Sequence, residues 1–377
     1  VYAELRRNQP GAPVEPAGMW AVSRYEDVLF VMKTPQLFSS EGFKGVWQPE
    51  WVGYNPLTSS MLVMDGQDHT QLRKLVSRAF GGSATQGFEA RMREFTHQLA
   101  ENLATRGEGD GVSQFALPLP AVVIGDLLGL DTSLHSHLKR WSDDFMSIGP
   151  IPQGPEHVTR VRTTIAEFSG YLNEAIASHH RQPREDLITH LQQAEVDGQR
   201  LSDAQILDFL TLLLLGGLET TSHLLANILL FLSEREDMLE TLRANPRLVP
   251  AFVEEMLRYD SPVQAIPRIT TTEVKLGGVT VPQGVLVLAL LGSANRDESR
   301  YPDPDRFDLN RQQPSVSFGH GIHHCLGAYL ARMEARVGLE VLISRFRGFV
   351  RQPGAVTWNQ AITVRGPAAL PLRFVPA

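Results

Sequence analysis

Residues 317–336 read SFGHGIHHCLGAYLARMEAR, and they hold Cys325, the one cysteine in 377 residues. A lone thiol forms no internal disulfide, so no disulfide framework supports the fold, which suits a reducing compartment. Three readings of Cys325 stand side by side: a small buried hydrophobe, a nucleophilic or redox thiol, and a metal ligand. Gly319, Gly321 and Gly327 strip side chains from both flanks of the sulfur. Glycine serves where a backbone bends sharply or a ligand comes close. Downstream, Leu326, Leu330, Met333, Val337 and Val341 fall at helical spacing. Cys325 therefore sits at or just before a helix N-terminus, where free amides and the positive end of the helix dipole favour a thiolate.

The rest of the chain is moderate in composition. Lys and Arg number 35 against 42 Asp and Glu, a net charge of −7, with 20% charged and 42% hydrophobic residues. That balance gives no global attraction to nucleic acid or to an anionic membrane, and it allows a large core. Neither an internal repeat nor a Gly/Ser linker divides the sequence, so one domain over 1–377 is expected. The first residue is Val1, and no signal-peptide pattern follows it. Ile206 to Leu232 is long and apolar enough to span a bilayer, but Asp208, Glu219, His223 and Asn227 interrupt it. A buried central helix fits better. Ser202 and Gln205 form a capping box at its start, with Leu201 and Ile206 as the staple.

Periodicity predicts a mainly α protein with small β-sheets. Helices are expected over 68–80, 86–106, 132–147, 156–180, 202–233, 235–244, 248–259 and 326–345. Strands are expected at 19–23, 28–32, 263–269, 274–281, 285–290, 361–364 and 370–374. A long Pro/Gly/Asp-rich connection, 291–325, delivers Cys325, and connections of that length in compact folds commonly carry function.

Phe318-Gly319-x-Gly321-x-His323-x-Cys325-x-Gly327 resembles the haem-ligand loop of the cytochrome P-450 family, the haem-thiolate monooxygenases. The resemblance implies that Cys325 is the axial ligand of the iron in haem b, where a thiolate pushes electron density onto the metal. It also implies the family's fold, with haem sandwiched between the long central helix and the helix after the cysteine loop. Phe318, His323 and Gly327 then belong to the haem contacts. The rival is a zinc site using His320, His323, His324 and Cys325, although three donors crowded into one turn are unusual for zinc.

Three further constellations agree with that family in order and spacing. Within GGLETTS (216–222), two helix-interior glycines each cost roughly 1 kcal/mol against alanine. Taken alone this is a gentle kink with satisfied polar groups; the resemblance makes Gly216 part of a dioxygen groove, Glu219 the acid and Thr220 the alcohol of a proton relay. His223, four residues on from Glu219, is either its partner or a packed polar residue. Glu255 and Arg258 lie three apart on one helical face; by resemblance they join Arg306, from YPDPDRFDLNR, in a buried structural triad. His69 and Arg73 share a face at i, i+4; with Arg268 and His323 they are implied to meet the two haem propionates, buried carboxylates that need charge-assisted partners.

By the same resemblance the protein inserts one oxygen atom from O2 into a hydrophobic small molecule, by hydroxylation or epoxidation. Phe43, Val46, Trp47 and Trp51 from one loop, and Phe145 and Met146 from another region, are implied to line the substrate pocket. Leu212 and Leu215 of the central helix, Val263, Ala265 and Ile266 after Arg258, and Ile362 complete the set. Aromatic and aliphatic groups dominate it, favouring a neutral terpenoid, steroid or polyketide. A ferredoxin and its ferredoxin reductase, drawing on NAD(P)H, are implied as electron donors. Lys74, Arg78, Arg332 and Arg336 are a candidate docking patch, or simply solvated helix faces. A cytoplasmic monomer without membrane or nucleic-acid partners is expected. A peroxide-driven haem peroxygenase and a non-catalytic haem or zinc-binding scaffold are the alternatives; Glu219 and Thr220 argue against the peroxygenase.

Overall fold

The computed structural model describes residues 1–15, 17–80, 88–130, 134–149 and 151–377, the side chains of 43, 46, 135 and 136 excepted. They form two compact units, one of Val1–Phe38, Glu89–Pro120 and Thr220–Ala377, the other of Ser39–Phe88 and Ala121–Glu219.

In the first unit a sheet carries the strands Gly11–Val14, Met19–Val22, Leu286–Ala289 and Ile266–Thr270, in that order. Met19–Val22 runs antiparallel to its predecessor and parallel to Leu286–Ala289, with Val287 opposite Trp20. Its inner face packs Val22, Val287 and Ala289 on Val28, Val31 and Phe38. The 28–32 stretch is thus not the strand expected of this short apolar run. It lies in the helix Tyr25–Lys33, because Glu26 and Asp27 occupy the first turn, Lys33 the last, and Val28, Val31 and Met32 fall at i, i+3, i+4 toward the sheet. Predicted strand 361–364 is also absent; only Val364 bridges, to Val263. A second sheet pairs Phe346–Arg351 with Pro371–Pro376 and then Glu108–Asp110. The helix Ala328–Arg345 buries a wide face that includes Leu330, Met333, Val337 and Val341, and it packs on Val249–Tyr259.

The second unit is helical: Gly66–Phe80, His135–Met146, Pro155–Arg181 and Leu187–Gln193. Trp141 is wholly buried and leans on Phe168 with ring centroids 5.2 Å apart. The predicted starts at 86 and 132 lie outside the described residues. The 32-residue helix Asp203–Glu234 gives its first part to this unit and the remainder to the other. Its capping box forms as predicted: Ser202 N–H donates to Gln205 Oε1 at 2.9 Å, and Gln205 N–H to Ser202 Oγ at 3.3 Å. Among the described residues this one helix is long and apolar enough to cross a membrane, and 67% of its most apolar window is buried inside the protein.

Candidate active site

The cysteine loop is closed by backbone. Cys325 N–H donates to Phe318 O at 2.9 Å, His324 N–H to Gly321 O at 3.1 Å, and Gly319 N–H to Val316 O at 2.8 Å. Two glycines are required here. Gly319 and Gly321 both have φ +70°, and a Cβ on Gly321 would stand 2.5 Å from Met32 O. The helix then starts at Ala328 with Gly327 as its cap, so Cys325 precedes it by three residues. The thiol is exposed, although Val316 and Ser317 before the loop and Ala328 after it are buried. A Cβ added to Gly327 would reach no protein atom closer than Cys325 Sγ, at 4.0 Å. A buried-hydrophobe role is therefore excluded for this cysteine. Among the described residues no group of three His, Cys, Asp or Glu side chains is arranged to hold a metal ion, which removes the geometric basis for a zinc site.

A brace behind the loop explains its position. Arg258, 1% exposed, donates from Nε to Glu255 Oε2 at 2.8 Å and from Nη2 to Glu255 Oε1 at 2.7 Å. Its Nη1 reaches Asn295 O and Pro304 O, each at 2.9 Å. Asn295 in turn donates to Ser317 Oγ at 2.8 Å and accepts from Val316 N–H at 2.8 Å. Buried charge is tolerable because each donor finds an acceptor. The third member is not Arg306 as expected. Arg311 Nε lies 3.2 Å from Glu255 Oε1, while Arg306 points to solvent and pairs with Asp308 at 2.9 Å. A turn closed by Arg306 N–H on Asp303 O swings that side chain outward and offers its carbonyl to Arg258 and Arg311. Asn295 and Arg311 were missed; a second arginine five residues after the first was the available signal for Arg311.

The glycine pair of the central helix has two different surroundings. A Cβ on Gly217 would lie 2.4 Å from Ile124 Cδ1, so this glycine admits a close neighbour. Gly216 is exposed in mid-helix, with no atom within 4 Å of a Cβ placed on it. Open space beside a glycine in a largely buried helix is what a bound planar group or small ligand needs. Glu219 and Thr220 are half-buried. Burial holds the Glu219 carboxyl above its ordinary range, with Lys139 pulling it down and Asp143 pushing it up. His223 is buried and packs on Gly366, where a Cβ would sit 2.4 Å from Nδ1.

His69 and Arg268 are buried, Arg73 and His323 half-buried. Arg268 Nη1 donates to Pro267 O at 2.8 Å. Of the residues expected around substrate, Trp47, Trp51, Met146, Leu212, Val263 and Ile266 are half-buried. Trp51 Nε1 donates to Gly149 O at 2.9 Å, and its ring lies on His157. Phe145 and Leu215 are buried, and Ala265 belongs to a core cluster with Ala21 and Leu288. Phe145 stacks edge-on against Phe168. Ile362 is 69% exposed, while Phe43 and Val46 lie outside the described side chains. Arg332 is engaged by Glu254 and by the Phe318 ring 4.4 Å away, and Arg336 by Glu89 at 2.7 Å and Glu340 at 3.2 Å. Their charge is largely compensated, which weakens the docking patch.

The family model for cytochrome P450 matches residues 132–357, and the chain belongs to the cytochrome P450 family. It is an oxygenase, as its relatives are named. Among these, cytochrome P450 107B1 of Saccharopolyspora erythraea is 37% identical over 99% of this chain and 94% of the relative. The mycinamicin IV hydroxylase/epoxidase of Micromonospora griseorubida is 34% identical over 98% of this chain and 94% of that protein. Of solved structures, cytochrome P450 CYP109Q5 from Chondromyces apiculatus superposes with a TM-score of 0.91 at 39% identity, covering 100% of this chain and 95% of that one.

Proposed function

We propose that the protein is a haem-thiolate monooxygenase that hydroxylates or epoxidises a hydrophobic small molecule of the secondary-metabolite class. The observation that carries this reading is the exposed sulfur of Cys325, set by two left-handed glycines just ahead of a helix and flanked by buried backbone. A soft, helix-stabilised thiolate suits haem iron, and the open flank of Gly216 suits a ligand. Haem, when bound, supplies activation of dioxygen. Cys325 holds the iron, and Phe318 and Gly327 shape the loop around the sulfur. Arg268 and Arg73 would supply the charge, and His323 and His69 hydrogen bonds, that propionates require. The Glu219 carboxyl, which burial shifts upward, and the Thr220 hydroxyl would form the acid–alcohol pair that relays protons. Electrons come from an external donor, a ferredoxin with its NAD(P)H-dependent reductase.

Names of relatives support the substrate class: a cyclomarin C epoxidase, a mycinamicin IV hydroxylase/epoxidase and an erythromycin C-12 hydroxylase. The reading is tested by the difference spectrum of the reduced, carbon-monoxide-treated holoprotein. A long-wavelength thiolate band is expected, and Cys325→His should abolish it while haem remains. A colourless protein that takes up no haem refutes the proposal.

A further inference from the structure

The first part of the central helix carries a second acid that the oxygenase reading does not use. Asp208 is 5% exposed, and Tyr54 Oη, at 3.1 Å from Oδ1, is its hydrogen-bond partner among the described residues. Among the described residues no cation faces it: burial is the main influence on its carboxyl, raising it to about 6, and the bond from Tyr54 opposes that rise. At neutral pH a buried carboxylate therefore stands without a counter-charge among the described residues, an arrangement that is costly to folding. Fastening a loop does not explain that cost, since a neutral amide would accept the same hydrogen bond.

The loop holding Tyr54 is fastened elsewhere. Asn55 Nδ2 donates to Trp47 O at 2.8 Å, Arg162 Nε to Trp51 O at 2.7 Å, and the Trp51 indole to Gly149 O. Tyr54 itself is 53% exposed, and burial together with the charge of Asp208 pushes its hydroxyl up to about 12, so it remains a donor. Along the helix, Asp208, Leu212, Leu215 and Glu219 follow 4, 3, 4 spacing and so share one face. Asp208 lies about 16 Å along the axis from Glu219.

We infer that Asp208 is a specificity-determining anchor that takes a cationic nitrogen at the end of the substrate remote from the oxidised carbon, with Tyr54 orienting the carboxylate. The substrate class narrows from a neutral hydrophobe to an extended hydrophobe bearing a basic amine. This deepens the monooxygenase reading and rests on it, because it takes the Leu212–Leu215 face as substrate-facing.

The test is calorimetric titration of the holoenzyme at pH 7.5 with a phenylalkyl trimethylammonium ion and with its uncharged isostere, in which carbon replaces nitrogen. A quaternary nitrogen cannot ligate iron, so any preference reports the anchor. Wild type should bind the cation at least about tenfold more tightly than the isostere. Asp208→Asn should erase that ratio while binding the isostere within twofold of wild type, and Tyr54→Phe should keep the preference for the cation. Equal binding of both probes by wild type, an unchanged ratio in Asp208→Asn, or parallel weakening of both probes in the two variants overturns the inference. The carbon-monoxide band recorded on the same preparations separates the two claims: a normal band with no preference defeats the anchor alone, and a missing band in wild type defeats the parent reading.

Discussion

Glu334 sits on the helix that follows the cysteine loop, 1% exposed, and its Oε2 has no hydrogen-bond partner among the described residues. Burial alone pushes its carboxyl from an ordinary value of 4.5 up to about 8. The folded protein thus keeps this proton through neutral pH, while the unfolded chain gives it up above about 4.5. Folding takes up a proton across that window, so stability falls as pH rises from 4.5 toward 8 and then levels. At 1.36 kcal/mol per unit the loss is about 1 kcal/mol at pH 5, about 3 at pH 7 and about 4 at pH 8. Glu334→Gln has a similar shape and no proton to take up, so its stability lacks this component. For 377 residues the unfolding entropy is about 0.8 kcal/mol per kelvin, and 3 kcal/mol corresponds to roughly 4 °C. Thermal midpoints of the two holoproteins should therefore diverge in favour of the variant by about 4 °C between pH 5 and pH 8. Every other titrating group is common to both proteins and cancels in the difference. Parallel profiles would refute the claim that Glu334 folds protonated.

Other substitutions test the brace, the loop and the relay. Arg311→Ala leaves Glu255 short of one charge partner in a buried network and should cost about 3–5 kcal/mol, seen as a lowered urea midpoint and poorer haem retention. Arg306→Ala removes only an exposed pair and should cost less than about 1 kcal/mol by the same assay. Gly321→Ala drives a Cβ into Met32 O at a left-handed position and should lose the thiolate carbon-monoxide band. Gly170→Ala, in the Pro155–Arg181 helix with open space around its Cβ, should instead raise stability by about 1 kcal/mol. Thr220→Ala should divert NAD(P)H-derived electrons into hydrogen peroxide; unchanged coupling to product would remove Thr220 from proton delivery.

What could be read from residues alone was the local chemistry whose partners lie close in sequence. The capping box of Ser202 and Gln205, the Glu255–Arg258 pair and the glycine-set turn before Cys325 each depend on spacings of three to eight residues, and the structure forms all three. Where reading failed, a tertiary partner decided. The 28–32 stretch is apolar at every position, so periodicity cannot separate strand from helix there; the sheet beneath Val28, Val31 and Met32 selects the helix. Pro118 and Pro120 hid the helix Pro118–Leu127, although proline is tolerated in a first turn. Arg306 and Arg311 are equivalent as letters, and only the turn at Asp303 determines which guanidinium reaches Glu255. Asp208 shows the same limit at the site itself. In sequence it is one polar interruption among leucines, an argument against a membrane span and nothing more. Its meaning depends on what surrounds the carboxylate: Tyr54, 154 residues away, and no described cation. A charge becomes informative when its environment fails to neutralise it, and that failure exists only in three dimensions.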